Sequence, residues 1–321
     1  MVLLHVTSPI LLRYGEISMI TWHLGNLIDS SVRFCVPVFV MLSGALLLQK
    51  EYSLKDFFQK RFMRVLVPFA FYSVVYILHD LDARNLWARE DLFAYIWSKV
   101  SKGAAYHLWY IYMIIGLYLF IPVIGRWVRA SSEKDILYFL IIWLVTMVIS
   151  HPLILKLVPN INLSYFSGFL GYLVLGYYLA LKKNSGGWKR SLSIYLLLAG
   201  VFVTILSTFL HSADKGAYVG IYYGYLTPNV LLTSVGLFML VNNFRFSARV
   251  PEKIRSFLCR YSYGIYLVHV LVLTELNKAG LNCFFLNPLA GIFLTTFACI
   301  GISGLLTYGI SKLPYGKYIS G

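Results

Sequence analysis

Apolar runs long enough to cross a lipid bilayer recur along the whole chain, and no other feature constrains its fold as strongly. A bilayer core of about 30 Å needs roughly 20 apolar residues in helical form. The stretches near 33–49, 64–79, 106–125, 136–156, 165–181, 191–211, 226–243, 260–277 and 288–310 supply such runs, and Met1–Leu12 reads as the remainder of another. In lipid every backbone N–H and C=O must find its partner within the protein, so runs of this kind become helices. The expected fold is all-α: a polytopic transmembrane helix bundle of about ten spans, the first of them incomplete, in a single integral-membrane domain over residues 1–321.

Composition agrees with the runs. Charged residues make up 13% of the chain and hydrophobic ones 59%, whereas an average soluble domain has roughly a quarter of its residues charged. A net charge of +15 would suit a nucleic-acid partner in a soluble protein. Here the Lys and Arg sit in short clusters between apolar runs and form no basic face, so nucleic acid is excluded as a partner. Summed over alternate loops, Lys and Arg are about twice as frequent on one side as on the other. The richer side is expected to be cytoplasmic, which puts both termini inside.

Connections are short. The longest outer one, 80–105, is expected to hold an interfacial helix with Trp87 and Trp97 at headgroup level, and 182–190 reads as a polar inner turn. No internal repeat is visible, which disfavours the repeat-built transporter folds. Cys35, Cys259, Cys283 and Cys299 show no metal-ligand or disulfide spacing.

Two groups of residues could carry chemistry. Lys60, Arg61 and Arg64 cluster at the entrance of the third span, with the two arginines three positions apart. On an α-helix that spacing puts both on one face, where guanidinium groups bind phosphate oxygens bidentately. The same residues also read as a positive-inside signal that anchors lipid phosphates. The second group is the histidines: His5, His23, His79, His107, His151, His211 and His269. With the orientation above, none falls in a cytoplasmic loop, and His269 lies near mid-membrane. An ionisable side chain inside a span is costly and is a functional hypothesis by default, and imidazole is suited to taking a hydroxyl proton near neutral pH.

Seven stretches, in order, give the chain its resemblance. They are VLLHVTSP (2–9), RFCVPVFVMLSGALLL (33–48), FFQKRFMRVLVPFAFYSVVY (57–76), HLWYIYMIIGLYLFIPVI (107–124), FLGYLVLGYYL (169–179), YSYGIYLVHVLVL (261–273) and SKLPYGKYISG (311–321). Together they resemble membrane-bound acyltransferase family three, the O-acyltransferases that modify bacterial surface polysaccharides. The resemblance implies that His5 matches the essential histidine of the family's first helix. It also implies that Arg61 and Arg64 match the RxxR motif connected with acyl-CoA use. Arg33 and His107 fall on recurrent family positions, with orienting, packing or catalytic roles all open. The family pattern puts an arginine eleven positions before His5, ahead of Met1, so the start is expected to be misplaced; a chain complete as written would put activity in doubt.

The function expected from this resemblance is transfer of an acyl group, with acetyl as the first expectation, from cytoplasmic acyl-CoA to a hydroxyl. The acceptor would be a cell-envelope polysaccharide or its lipid-linked precursor. His5 and His107 are the catalytic candidates, Lys60, Arg61 and Arg64 would hold the donor, and Arg33 would contact or orient substrate. Acyl-CoA is the co-substrate, and a thioester is activated without a metal. The lipid bilayer and the glycan acceptor are the expected partners, with polysaccharide-synthesis machinery as a further one. The alternatives are a transporter or flippase of a polysaccharide intermediate, and a non-catalytic assembly partner. Gly44, Gly116, Gly168, Gly171, Gly176 and Gly264 are expected to let helices approach closely.

Overall fold

The structure is a computed structural model that describes residues 1–155, 168–182, 187–243 and 251–321. Among these, helices dominate and no strand occurs. In chain order the helices are α1 (Val2–Leu11), α2 (Met19–Val32), α3 (Cys35–Leu47), α4 (Leu54–Phe57), α5 (Met63–Ala83), α6 (Leu92–Lys102) and α7 (Trp109–Ala130). They continue with α8 (Glu133–Ile149), α9 (Leu170–Leu181), α10 (Gly187–Lys215), α11 (Pro228–Asn243), α12 (Glu252–Lys278), α13 (Pro288–Lys312) and α14 (Gly316–Ile319). A π-turn over Phe58–Phe62 joins α4 to α5, and a 3-10 turn over Tyr106–Leu108 leads into α7.

Among the described residues, seven helical segments are long and apolar enough to cross a membrane: Met19–Leu47, Leu54–Ala83, Tyr106–Ala130, Lys189–Lys215, Ile221–Asn243, Glu252–Lys278 and Pro288–Lys312. α1 and α9 are apolar but shorter, and α8 has 17 residues. The chain is thus a multi-pass membrane protein. The end of the expected 136–156 span, the start of the 165–181 span and residues 183–186 of the 182–190 turn lie outside the described residues. The second span differs most from expectation, because it begins at Met19 rather than near 33. His23, Asn26, Asp29 and Ser30 interrupt the apolar run there. Ser18 nevertheless caps α2 by accepting from the Thr21 N–H, and Asn26, Asp29 and Ser30 are buried against protein.

Several spans are polar inside and apolar outside, the reverse of a soluble helix. α10 buries Ser193, Thr204, Thr208 and Ser212, while Tyr195, Leu198, Phe202 and Leu210 face outward. α13 likewise buries Thr295, Ser303 and Thr307 and exposes Phe293, Phe297 and Leu305. Hydroxyls inside a helix can bond to their own backbone, as Thr204 and Thr307 do to carbonyls four residues back at 2.7 Å. Outward apolar side chains then meet lipid at no desolvation cost.

The helices group into two compact units. The first comprises Met1, Thr7–Tyr52 and Phe120–Ala248, and the second Val2–Val6, Ser53–Leu119 and Arg249–Gly321. In the first unit, α3 packs on α9 and α10 on α11. A Cβ at Gly44 would sit 1.8 Å from the Leu173 carbonyl oxygen, and one at Gly176 would sit 2.0 Å from that of Met41. Gly171 lies directly under the Trp143 indole. In the second unit, α12 packs on α13 and α5, and α14 closes on α13 and α5. There Gly264 meets the Ser320 carbonyl. The close-approach expectation therefore holds for Gly44, Gly171, Gly176 and Gly264. Gly116 and Gly168 have nothing within 4 Å of a built Cβ among the described residues. Gly168 instead adopts φ +90°, a conformation that disfavours a side chain. Within 80–105, a helix does form over Leu92–Lys102, with Phe93 and Trp97 exposed.

Candidate active site

Three imidazoles meet in the second unit. His5 comes from α1, His107 from the 3-10 turn before α7, and His269 from the middle of α12. Ring centroids are 5.2 Å apart for His5 and His269, 4.9 Å for His107 and His269, and 6.4 Å for His5 and His107. His107 and His269 are buried, and His5 is half-buried. Among the described residues no group of three or more His, Cys, Asp and Glu could hold a metal ion.

Tyrosines fix this cluster from several sides. Tyr76 of α5 donates its hydroxyl hydrogen to the Leu267 carbonyl at 3.0 Å and accepts from the Leu271 N–H at 3.0 Å, so it brackets the turn that carries His269. Tyr266 donates to the His107 carbonyl at 2.5 Å. The Tyr106 ring packs edge-on against His5 at 5.1 Å. From α13, the Cys299 thiol donates to the His269 carbonyl at 3.4 Å. His269 Nδ1 lies 2.6 Å from the Tyr266 carbonyl and must donate to it, because a carbonyl only accepts. That assigns the His269 hydrogen to Nδ1 and leaves Nε2 as a lone pair. Neither His269 Nε2 nor His107 Nδ1 has a hydrogen-bond partner among the described residues.

Lys60, Arg61 and Arg64 lie in the same unit, at the start of α5. Lys60 pairs with Asp56 at 2.6 Å, with both side chains exposed, so part of the cluster's positive charge is already matched. Arg61 and Arg64 form no ion pair among the described residues. The one-face expectation for this pair needs a correction, because Arg61 sits in the π-turn and Arg64 in the α-helix that follows. A π-turn closes i→i+5 bonds and advances less per residue than an α-turn. The two guanidinium groups therefore share a face less closely than strict α spacing predicts. Tyr263 of α12 donates to the Val65 carbonyl at 2.8 Å, fixing the next residue. From Arg64 to Tyr76 the helix runs twelve residues, about 18 Å at 1.5 Å per residue.

Arg33 belongs to the first unit. Its Nε donates to Asp29 Oδ1 at 2.6 Å, and its guanidinium lies 4.2 Å from the centre of the Tyr223 ring. Asp29 also accepts from Thr7 at 3.1 Å and Ser8 at 3.4 Å, both on α1. Tyr223 in turn donates to Asn26 Oδ1 at 2.5 Å. Of the roles left open for Arg33, these bonds describe packing and orientation.

The structure thus brings His5 and His107 together, keeps the basic trio in the same unit and gives Arg33 a buried acid. His269, expected near mid-membrane as a costly ionisable group, was not among the catalytic candidates, yet it joins His5 and His107. Asp29 falls between the first two expected spans, so hydropathy alone does not signal its burial. The other histidines stand apart from the cluster: His79 pairs with Glu275 at 3.0 Å, His23 packs on Phe209, and His151 and His211 both lie against Tyr222.

A family model described as an acyltransferase domain, of acyltransferase family 3, matches residues 1–308. No curated protein and no solved structure matches the chain. Nearly the full length is covered, and the match spans the apolar helices described above. This chain belongs to the membrane acyltransferases of family 3.

Proposed function

We propose that the protein is an O-acyltransferase that takes an acyl group, acetyl in the simplest case, from cytoplasmic acyl-CoA. The acceptor is a hydroxyl of a cell-envelope polysaccharide or of its lipid-linked precursor. Arg61 and Arg64 hold the donor's phosphates, with Lys60 assisting when it leaves Asp56. The acyl-pantetheine arm then follows α5 toward the imidazoles. His5 and His107 line the point where the acceptor hydroxyl meets the thioester. A thioester is already activated, so the demands on the protein are positioning and removal of one proton.

One observation carries this reading. Arg61 in the π-turn and Arg64 at the start of α5 form no ion pair among the described residues, and about 18 Å along α5 from Arg64 Tyr76 packs against the imidazole cluster. That length matches an extended phosphopantetheine arm. In this reading α1, α8 and α9 complete ten crossings, both termini are cytoplasmic, and the whole chain acts as one catalytic domain in contact with the bilayer. Polysaccharide-synthesis machinery would supply the acceptor.

The experiment is transfer of labelled acetyl from acetyl-CoA to membrane glycan by the purified protein. His5→Ala should reduce transfer by about 100-fold or more. Arg61→Ala should raise KM for acetyl-CoA about tenfold or more, as expected for a lost charge-assisted contact to phosphate. Movement of a lipid-linked glycan across vesicles without any acyl transfer would instead identify a transporter and sink the proposal.

A further inference from the structure

The acyl-transfer reading leaves open which imidazole takes the proton, and the geometry singles out one that the sequence motifs did not. His269 is the middle ring of the three, 4.9 Å from His107 and 5.2 Å from His5, which are themselves 6.4 Å apart. Its hydrogen is committed by a 2.6 Å bond to the Tyr266 carbonyl. The equivalent contact of His107, Nε2 to the Leu267 carbonyl, is 3.4 Å, beyond the ordinary range, and leaves its tautomer less firmly set. His269 is wholly buried, yet its Nε2 has no partner among the described residues. A buried polar nitrogen without a partner is unfavourable and rare, and inside a membrane-spanning helix it calls for a functional reason.

We propose that His269 is a catalytic residue of the transfer reaction, with its Nε2 receiving the proton of the acceptor hydroxyl. This rests on the acyl-transfer reading above. As the hydroxyl oxygen bonds to the thioester carbonyl carbon, its proton passes to the Nε2 lone pair. The carbon–sulfur bond then breaks, and coenzyme A leaves with the electron pair as a thiolate. His269 returns the proton to that thiolate, so the imidazole ends neutral and nothing is oxidised or reduced. His5 and His107 flank the hydroxyl and orient it. The backbone on both sides of His269 is held by Tyr76, and its own carbonyl accepts from Cys299, so the ring has little freedom to turn away. Titratable groups around it in the same unit include His5 from α1, Tyr106 and His107 from the turn before α7, Tyr76 from α5, Tyr266 on its own helix and Cys299 from α13, and the amino group of the chain also acts on it. None of these is a carboxylate.

The test uses the full chain in detergent with acetyl-CoA and membrane glycan. H269Q keeps a hydrogen-bonding group near the Nε2 position but removes the base. The expected result is transfer reduced by about 100-fold or more, with acetyl-CoA affinity and unfolding temperature near those of the wild type. The acid limb of the pH–rate profile should also change. In the wild type that limb marks protonation of the imidazole, so activity falls as pH falls. Transfer by folded H269Q within about tenfold of wild type, with the same acid limb, overturns the assignment. Should H269Q fail to fold, nitrogen-15 NMR of histidine-labelled wild-type protein decides instead. A neutral His269 with its hydrogen on Nδ1 supports the proposal, and a hydrogen on Nε2 overturns it. A wild type that transfers no acyl group removes the acyl-transfer reading and this proposal together. A wild type and an H269Q that transfer equally remove only the role of His269.

Discussion

Asp29 and Arg33 show what one residue can decide in a membrane interior. Asp29 is fully buried and is satisfied by Arg33, Thr7 and Ser8 together. Removing one partner of a buried pair leaves an uncompensated charge, which costs about 3–5 kcal/mol. Asp29→Ala should therefore lower the unfolding temperature of the detergent-solubilised protein sharply. The double variant Asp29→Ala, Arg33→Met should recover much of the loss, since replacing a whole buried pair by apolar groups is often close to neutral. Equal losses in the single and double variants would show that the pair does not act as a unit. Arg33 was legible in the sequence as a recurrent family position, but Asp29 was not, because its value lies in a partner four residues on and in α1. His269 is a similar case. Its place in an apolar run marked it as costly, yet only its bond to Tyr266 tells which nitrogen is free.

At the scale of elements, small residues set how closely the helices approach. α3 and α9 touch where Gly44 faces the Leu173 backbone and Gly176 faces the Met41 backbone. A methyl group there meets backbone rather than a flexible side-chain end, so the helices must move apart. Overpacking of this kind costs about 1–3 kcal/mol and occasionally more. Gly44→Ala and Gly176→Ala should each destabilise the protein by at least that amount in thermal unfolding. Gly301→Ala, where nothing among the described residues lies within 4 Å of the built Cβ, should cause no loss, and a comparable loss there would refute close packing as the cause. The seven long spans were largely readable because a hydrophobic run is a local property. α2 was not, since four polar residues broke its pattern and their satisfaction comes from distant partners. One is Asn26, which donates to the Ile205 carbonyl at 3.0 Å. The π-turn at Phe58–Phe62 was also invisible, because a one-residue change in helical register leaves composition untouched.

For the molecule as a whole, charge bias predicts a direction across the membrane. With both ends cytoplasmic, Lys55 of α4 faces the cytoplasm, and the segment before α6 faces the opposite side. Lys55→Cys should react with a membrane-impermeant maleimide only from the inner side and Asn85→Cys only from the outer side, after Cys259, the exposed cysteine, is changed to Ser. The reverse pattern would overturn the proposed orientation and leave the arginine pair out of reach of cytoplasmic acyl-CoA. The sequence by itself determined that this is a multi-pass helical membrane protein of acyltransferase family 3. Hydrophobic length, charge placement and ordered short motifs are all written along the chain. Only the tertiary structure decided that His5, His107 and His269, from three separate helical segments, share one buried cluster, and that Asp29 belongs to Arg33 and α1. Lateral packing chooses such neighbours, and an apolar run looks the same whichever of its faces turns toward protein.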